Sequence, residues 1–217
     1  MLVIPKLKVT DGKNIILFSD ALTIPEGKSI YLCDSNLKGK TLFLQAIYHY
    51  LKKSRKSREK LLKKENEFIW DISNKKKLYR KGSKDVLLIE YTPAILPNLT
   101  INQNIMLPLK TINVRMKNKI REYLQQFDLG SKQYNSAKNL SFSEMKIIEL
   151  IRAVMLLPSV VLIDDFDLSF YQTLLEKVLH IMFLMQQNGT VFIATGKSEN
   201  LAFSKNYKIE NKKVIEV

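Results

Sequence analysis

Residues 30–46 read IYLCDSNLKGKTLFLQA. The apolar run Ile30, Tyr31, Leu32 and Cys33 meets a polar turn, then Gly39-Lys40-Thr41, then a segment with helical apolar spacing. Strand, tight loop and helix in that order cradle phosphate, because the loop amides and the helix N-terminus face an anion together. In such a loop the lysine reaches the β- and γ-phosphates and the threonine hydroxyl binds Mg²⁺. This assigns nucleotide contacts to Ser35, Asn36, Leu37, Lys38, Gly39, Lys40, Thr41 and Leu42, and a metal contact to Thr41. One position breaks the pattern. Asp34 stands where the first glycine of the loop belongs. A carboxylate about 4 Å from a phosphate charge costs on the order of 4 kcal/mol at surface-like screening, so its side chain has to turn away or binding suffers.

The remaining composition narrows the classes. The chain has 217 residues, 46% of them hydrophobic, enough for one sizeable core or a core with a small subdomain. No run of about 18 apolar residues offers a membrane span. The N-terminal MLVIPKLKV reads as a first strand, not a signal. A single cysteine, Cys33, excludes an internal disulfide framework and fits a reducing cytosol. The net charge of +14 calls for anionic partners, and much of it sits in Lys52 to Lys64 and Lys75 to Lys84. Those runs fit a solvated surface, phospholipid headgroups or nucleic acid. They lack the interleaved aromatics of single-strand binding platforms, which makes nucleic acid the weakest of the three.

Along the chain, residues 1–32 read as short strands, with a turn at Asp11-Gly12 and a hairpin-like turn at Pro25-Glu26-Gly27. A helix follows from Thr41 to Leu51, then strands around Phe68 to Trp70 and from Val86 to Ile89. Helices are expected near Ile101 to Met106 and across Met116 to Phe127, the second ended by Gly130. Ser141 and Glu144 form an S-x-x-E capping box that opens a helix running to about Leu156, stopped by Pro158. Val160 to Ile163 is a buried parallel strand ending in Asp164-Asp165. A helix from Tyr171 to Gln187, a strand from Thr190 to Thr195 and a closing hairpin complete an alternating α/β pattern.

The phosphate loop, the capped helix and the strand ending in two aspartates occur in the order and spacing of one family. The chain resembles the nucleotide-binding subunit of ATP-binding-cassette (ABC) transporters, and is similar to the small cassettes of the lipoprotein-release and cell-division type. PAILPNLTINQNIMLPL looks like the family's segment after the glutamine loop, and LSFSEMKIIELIRAVMLLPSVVLIDD like its signature helix through the Walker B strand. The resemblance implies one cassette over residues 1–217, with an α/β P-loop NTPase (RecA-like) core and an antiparallel β-subdomain in 1–90 and 139–217. A small helical subdomain would occupy 91–138. It implies ATP and Mg²⁺, a homo- or heterodimer of cassettes, an integral membrane permease-like partner, and a peripheral place on the inner face of the cell membrane.

Residue by residue, the resemblance gives Asp164 the Walker B role of holding Mg²⁺, and Asp165 the catalytic place where the family has a glutamate. Leu140, Ser141, Phe142, Ser143 and Glu144 take the signature and dimer contact, with Phe142 and Ser143 in place of glycines. Leu37 replaces a further loop glycine, Tyr91 the switch glutamine, Gly196 the switch histidine and Tyr171 the aspartate of the dimer-contact loop. No aromatic stands at 9–13 to stack on adenine, and His49 and His180 fall away from every motif. These departures point to weak or absent hydrolysis. A silent cassette acting as a structural adaptor is one alternative, and a basic nucleic-acid-associated protein another.

Overall fold

The computed structural model describes residues 1–33, 39–54, 67–72, 85–170, 172–198, 201 and 203–217, apart from the side chains of 53, 54, 168, 169, 172 and 173. The expectations for Asp34 to Lys38, for the basic runs from 55 to 64 and 75 to 84, and for Tyr171 lie outside those residues. The strands in chain order are Leu2–Ile4 (β1), Lys6–Asp11 (β2), Asn14–Ser19 (β3), Leu22–Ile24 (β4), Ser29–Cys33 (β5) and Glu67–Asp71 (β6). Val86–Ile89 (β7), Val160–Ile163 (β8), Val191–Gly196 (β9), Lys205–Glu210 (β10) and Lys213–Glu216 (β11) follow. The helices are Lys40–Ser54 (α1), Ile101–Met106 (α2), Val114–Gln126 (α3), Phe142–Leu156 (α4), Phe166–Ser169 (α5) and Gln172–Gln187 (α6).

β8 is apolar, rich in valine and buried along its whole length. Such a strand needs partners on both edges and cover on both faces. It pairs in parallel with β7 and β9, β9 with β5, and β5 with β10. Side chains alternate between the faces. Ile30, Leu32, Val160, Leu162, Val191 and Ile193 join a core with Leu44 and Ile47 of α1. Tyr31, Val161, Ile163, Phe192 and Ala194 join another with Ile147 and Ile151 of α4 and Val178 and Met182 of α6. Burying each such valine, leucine or isoleucine fully contributes about 1.5–3 kcal/mol relative to exposure. Among the described residues the whole sheet runs β6-β2-β3-β11-β10-β5-β9-β8-β7, and the β2–β3 and β10–β11 hairpins are antiparallel. This is the α/β core with an antiparallel β-subdomain that the sequence implies.

Two expectations change. The Pro25-Glu26-Gly27 turn does not close a hairpin: β4 pairs with β1 in a separate two-stranded sheet, while β5 enters the large one. The burial patterns give the reason. β4 alternates buried and exposed residues, so one of its faces is wet, whereas β5 is buried nearly throughout and belongs at a sheet centre. The turn itself packs on the end of α6, where Gly27 has φ +67° and a Cβ would meet the Gln186 carbonyl oxygen. Helix α3 starts earlier than expected, capped by the Asn113 side chain, and ends before Gly130; Asp128, at φ 59°, turns the chain first. The capping box of α4 forms as read: Ser141 Oγ accepts from the Glu144 N–H at 3.3 Å, and Glu144 Oε2 from the Ser141 N–H at 2.7 Å. Leu157, left-handed at φ 46°, ends that helix ahead of Pro158.

Candidate functional site

The C-terminal ends of β5, β8 and β9 converge on the start of α1. Gly39 precedes the helix at φ +119°, and a Cβ there would stand 2.9 Å from Ile209 Cδ1, so the bare glycine lets α1 begin against β10. Its carbonyl accepts the Phe43 N–H at 2.8 Å and starts the helical ladder. Lys40 is buried in the first turn; its Nζ donates to the Gly196 carbonyl at 2.9 Å and lies 3.8 Å from Asp165 Oδ1. Thr41 Oγ1 donates to Asp164 Oδ2 at 2.8 Å. The other carboxylate oxygen of Asp164 accepts the Thr195 hydroxyl at 2.8 Å, and Thr195 Oγ1 accepts the Asp165 N–H at 3.2 Å. Four residues singled out in the sequence thus meet in one cluster, although β9 separates β5 from β8. Leu42 is half-buried and packs into the α1 core.

Asp165 occupies the N-cap of α5 in the left-handed region, φ 46°, with no side-chain capping bond. Burial raises its carboxyl above the usual range, the Asp164 carboxylate raises it further, and Lys40 opposes both. Beside this cluster opens a cavity of about 550 Å³, lined among others by Thr41, Gln45, Glu90, Tyr91, Asp164 and Asp165.

Gly196 has a tight surrounding. A Cβ there would lie 2.1 Å from both Asp167 Oδ1 and the Tyr31 hydroxyl. Asp167 Oδ2 accepts the backbone N–H groups of Lys197 and Ser198, at 2.9 and 2.8 Å, and the Ser198 hydroxyl at 2.9 Å. Burial, and then the Asp167 carboxylate, push the Tyr31 hydroxyl far up. Cys33 is half-buried and its thiol donates to the Lys197 carbonyl.

The signature residues divide. Glu144 is used in the cap and in an ion pair with Lys132 at 2.8 Å, and Leu140 and Ser143 are buried. Phe142 packs its ring on that of Tyr91, centroids 5.4 Å apart, which brings the start of α4 to the cavity rim. Of the two histidines, His49 sets its ring at a tilt to that of Trp70, centroids 4.9 Å apart, and burial lowers the pKa of its imidazole. Sequence reading passed over Thr195, Asp167 and Glu90. The threonine follows four apolar residues one position before the end of β9, which is the signal that marks it.

The model of the ABC transporter family matches residues 17–166. An Fe(3+) ions import ATP-binding protein, FbpC, of Escherichia coli O157:H7 is 24% identical over 210 residues, covering 93% of this chain and 56% of that protein. The FbpC of Mannheimia succiniciproducens is 23% identical over 221 residues, covering 97% and 59%. The chain therefore spans a little over half the length of these curated relatives. Among solved structures, an ATP-binding subunit of an ABC transporter superimposes with TM-score 0.74 at 14% identity, over 100% of this chain and 90% of that one. The ADP conformation of an ATP-binding cassette of an ABC transporter gives 0.65 at 16%, over 99% and 90%. The strand-tip cluster lies on the fold of these cassettes, and the family match takes in more than half of the sequence: the chain belongs to the ABC transporter family.

Proposed function

We propose that the chain is an ATP-binding subunit of a membrane transport complex that holds Mg–ATP at the strand tips and hydrolyses it slowly or not at all. The observation that carries this reading is the Thr41 hydroxyl 2.8 Å from the Asp164 carboxylate, with the Lys40 ammonium at the same end of the sheet. The donor set fits the cofactor. Mg²⁺ takes one or two carboxylate or hydroxyl oxygens and completes its shell with phosphates and water, so it needs no protein cage. Thr41 and Asp164 would hold it, and Lys40 would leave the Gly196 carbonyl for a phosphate oxygen. When bound, the ion offsets the charge of the phosphates.

Slow turnover follows from the residues around this cluster. Asp165 is one methylene shorter than the glutamate it replaces by resemblance, and a misplacement of about 1 Å costs roughly 100-fold. Its carboxyl lies near Lys40 at 3.8 Å. Gly196 supplies no imidazole, and Tyr91 is turned onto Phe142. The second reading, a cassette that works as an adaptor without hydrolysis, is favoured by that same pair of aromatics.

The partners in this reading are a second cassette and a permease-like membrane subunit. The helical segment 91–138 would face the membrane side. Its helix α3 exposes Arg115, Lys117, Lys119 and Arg121 beside exposed Ile112 and Val114, which suits anionic headgroups better than nucleic acid. No described helix is long and apolar enough to cross a membrane. The relatives' names favour import of an ion over release of a lipoprotein.

Thermal unfolding of the purified chain with and without Mg–ATP tests the core of this. The wild type is expected to gain melting temperature and Lys40→Ala to gain none; equal shifts in both would overturn nucleotide binding at this loop. Turnover is expected near background. A rate of roughly 1 s⁻¹ or more, within the ordinary enzyme range, would overturn slow hydrolysis.

A further inference from the structure

Helix α4 carries Lys146, Glu149 and Arg152 three residues apart on one stripe, all of them buried, and beyond its first turn the helix is otherwise apolar. Their partners lie on one distant segment, residues 90–104. Lys146 Nζ donates to the Glu90 carbonyl, and to Glu149 Oε2 at 3.2 Å. Glu149 Oε1 accepts the Ala94 N–H at 2.9 Å. Arg152 donates to the Ala94 carbonyl at 2.5 Å, to the Asn104 carbonyl at 2.7 Å and to Asn104 Oδ1 at 3.0 Å. Asn104, wholly buried, returns bonds to the Leu96 N–H and carbonyl, both at 2.9 Å, and to the Thr100 carbonyl at 3.1 Å. Lys146 Nζ also stands 5.7 Å from the centre of the Phe142 ring, which packs on Tyr91.

Stability alone does not account for such a group. Charges buried in pairs are often replaced by apolar residues with no loss, while removing one partner is strongly destabilising. What the network does supply is a single arrangement: every polar backbone group it binds fixes where segment 90–104 lies on α4. We infer that Lys146, Glu149 and Arg152 are positioning residues that bolt this segment to helix α4, so that Ser141 and Phe142 at the helix start and Glu90 and Tyr91 at the cavity rim move as one body. A partner that meets the exposed start of α4 then shifts the rim, and a ligand in the cavity shifts the start of α4. The second half rests on the nucleotide reading; the bolt itself does not.

Hydrogen exchange of the full chain, followed by mass spectrometry over 90–104, tests it with Lys146→Met/Glu149→Leu and Lys146→Arg. Exchange in 90–96 is expected to rise at least tenfold in the double variant at a melting temperature within a few degrees of wild type, and to return towards wild type in Lys146→Arg. Should the double variant not fold, Glu149→Gln keeps the shape and is expected to raise exchange at 90–96 without raising it in β8 or β9. Unchanged exchange at 90–96, or a rise spread over all segments in step with a lower melting temperature, would overturn the bolt. With Mg–ATP added, wild type is expected to slow exchange at 90–96 and 141–146 together and the double variant to lose that linkage. Slowing of both segments in both proteins would overturn the coupling. An ATP effect missing everywhere would count against nucleotide binding, while the nucleotide-free comparison still decides the bolt.

Discussion

The strand-tip cluster and the network under helix α4 are both small polar assemblies in an apolar surrounding, yet they differ in what their bonds can be exchanged for. At the tips, Thr41 is exposed and bonds to Asp164 beside an open cavity, and Lys40 donates to a backbone carbonyl. In the proposed reading a phosphate or a cation takes over partners of Thr41 and Lys40 from the side of that cavity. Under α4, Lys146 and Asn104 are fully enclosed and the acceptors are backbone carbonyls, Glu149 and Asn104 Oδ1. Removing one member alone there leaves an unpaired buried polar group, at about 1–3 kcal/mol and more for a charge. In the readings proposed above, one assembly binds and the other holds the chain still.

The largest effect that sharpens this contrast belongs to Gly196, next to the tips. Restoring an imidazole with Gly196→His puts a Cβ 2.1 Å from the Tyr31 hydroxyl and from Asp167 Oδ1. Overpacking of this kind costs about 1–3 kcal/mol and more where both neighbours are fixed. We expect a loss of about 3 kcal/mol, or roughly 6–12 °C in Tm for a chain of this size, no gain in turnover, and partial recovery on adding Tyr31→Phe. A Gly196→His protein that melts with wild type would show that the hollow is open to a side chain.

Thr195→Val comes next. The hydroxyl both donates to Asp164 and accepts from the Asp165 amide, so its loss strands two groups in a buried place. A cost of about 1–3 kcal/mol follows, measured as denaturant midpoint. Because Thr195 holds the oxygen of Asp164 that Thr41 leaves, nucleotide-dependent stabilisation is expected to weaken as well. An unchanged response to Mg–ATP would mean that Asp164 is held by Thr41 alone.

How far these features can be read from sequence depends on the range of the signal. The capping box at Ser141, the strand at Val160 to Ile163 and the helix at Ile101 to Met106 come out within a residue, since each is written in local spacing. The meeting of Thr41 with Asp164 was legible only through the ordered motifs. Choice of partner is not local, which is why Pro25-Glu26-Gly27 looks like a hairpin turn and is not one. The α4 network was invisible for a similar reason: lysine, glutamate and arginine on a helix read as a solvated face until the segment that covers them is known. Gly196 shows the same limit, because its tightness comes from Tyr31 and Asp167, which lie on other elements.

The smallest expected effect is also the one whose sign separates the two assemblies. The charge of Asp165 is under opposing influences: burial and Asp164 disfavour it, and Lys40 favours it, with the first two prevailing. The folded state therefore holds this proton more tightly than the unfolded chain, whose carboxyl has the ordinary value of 3.8. Between that value and the raised one, stability falls as pH rises, and above both the ionised carboxylate is a constant burden. Asp165→Asn removes it. The variant is expected to melt above wild type at pH 7, by less than either change above, with the gap closing as pH drops and gone below the unfolded value. A gap of the opposite sign at neutral pH would make the Lys40–Asp165 contact a structural ion pair like those under α4, and would take Lys40 out of the set of groups waiting for a phosphate.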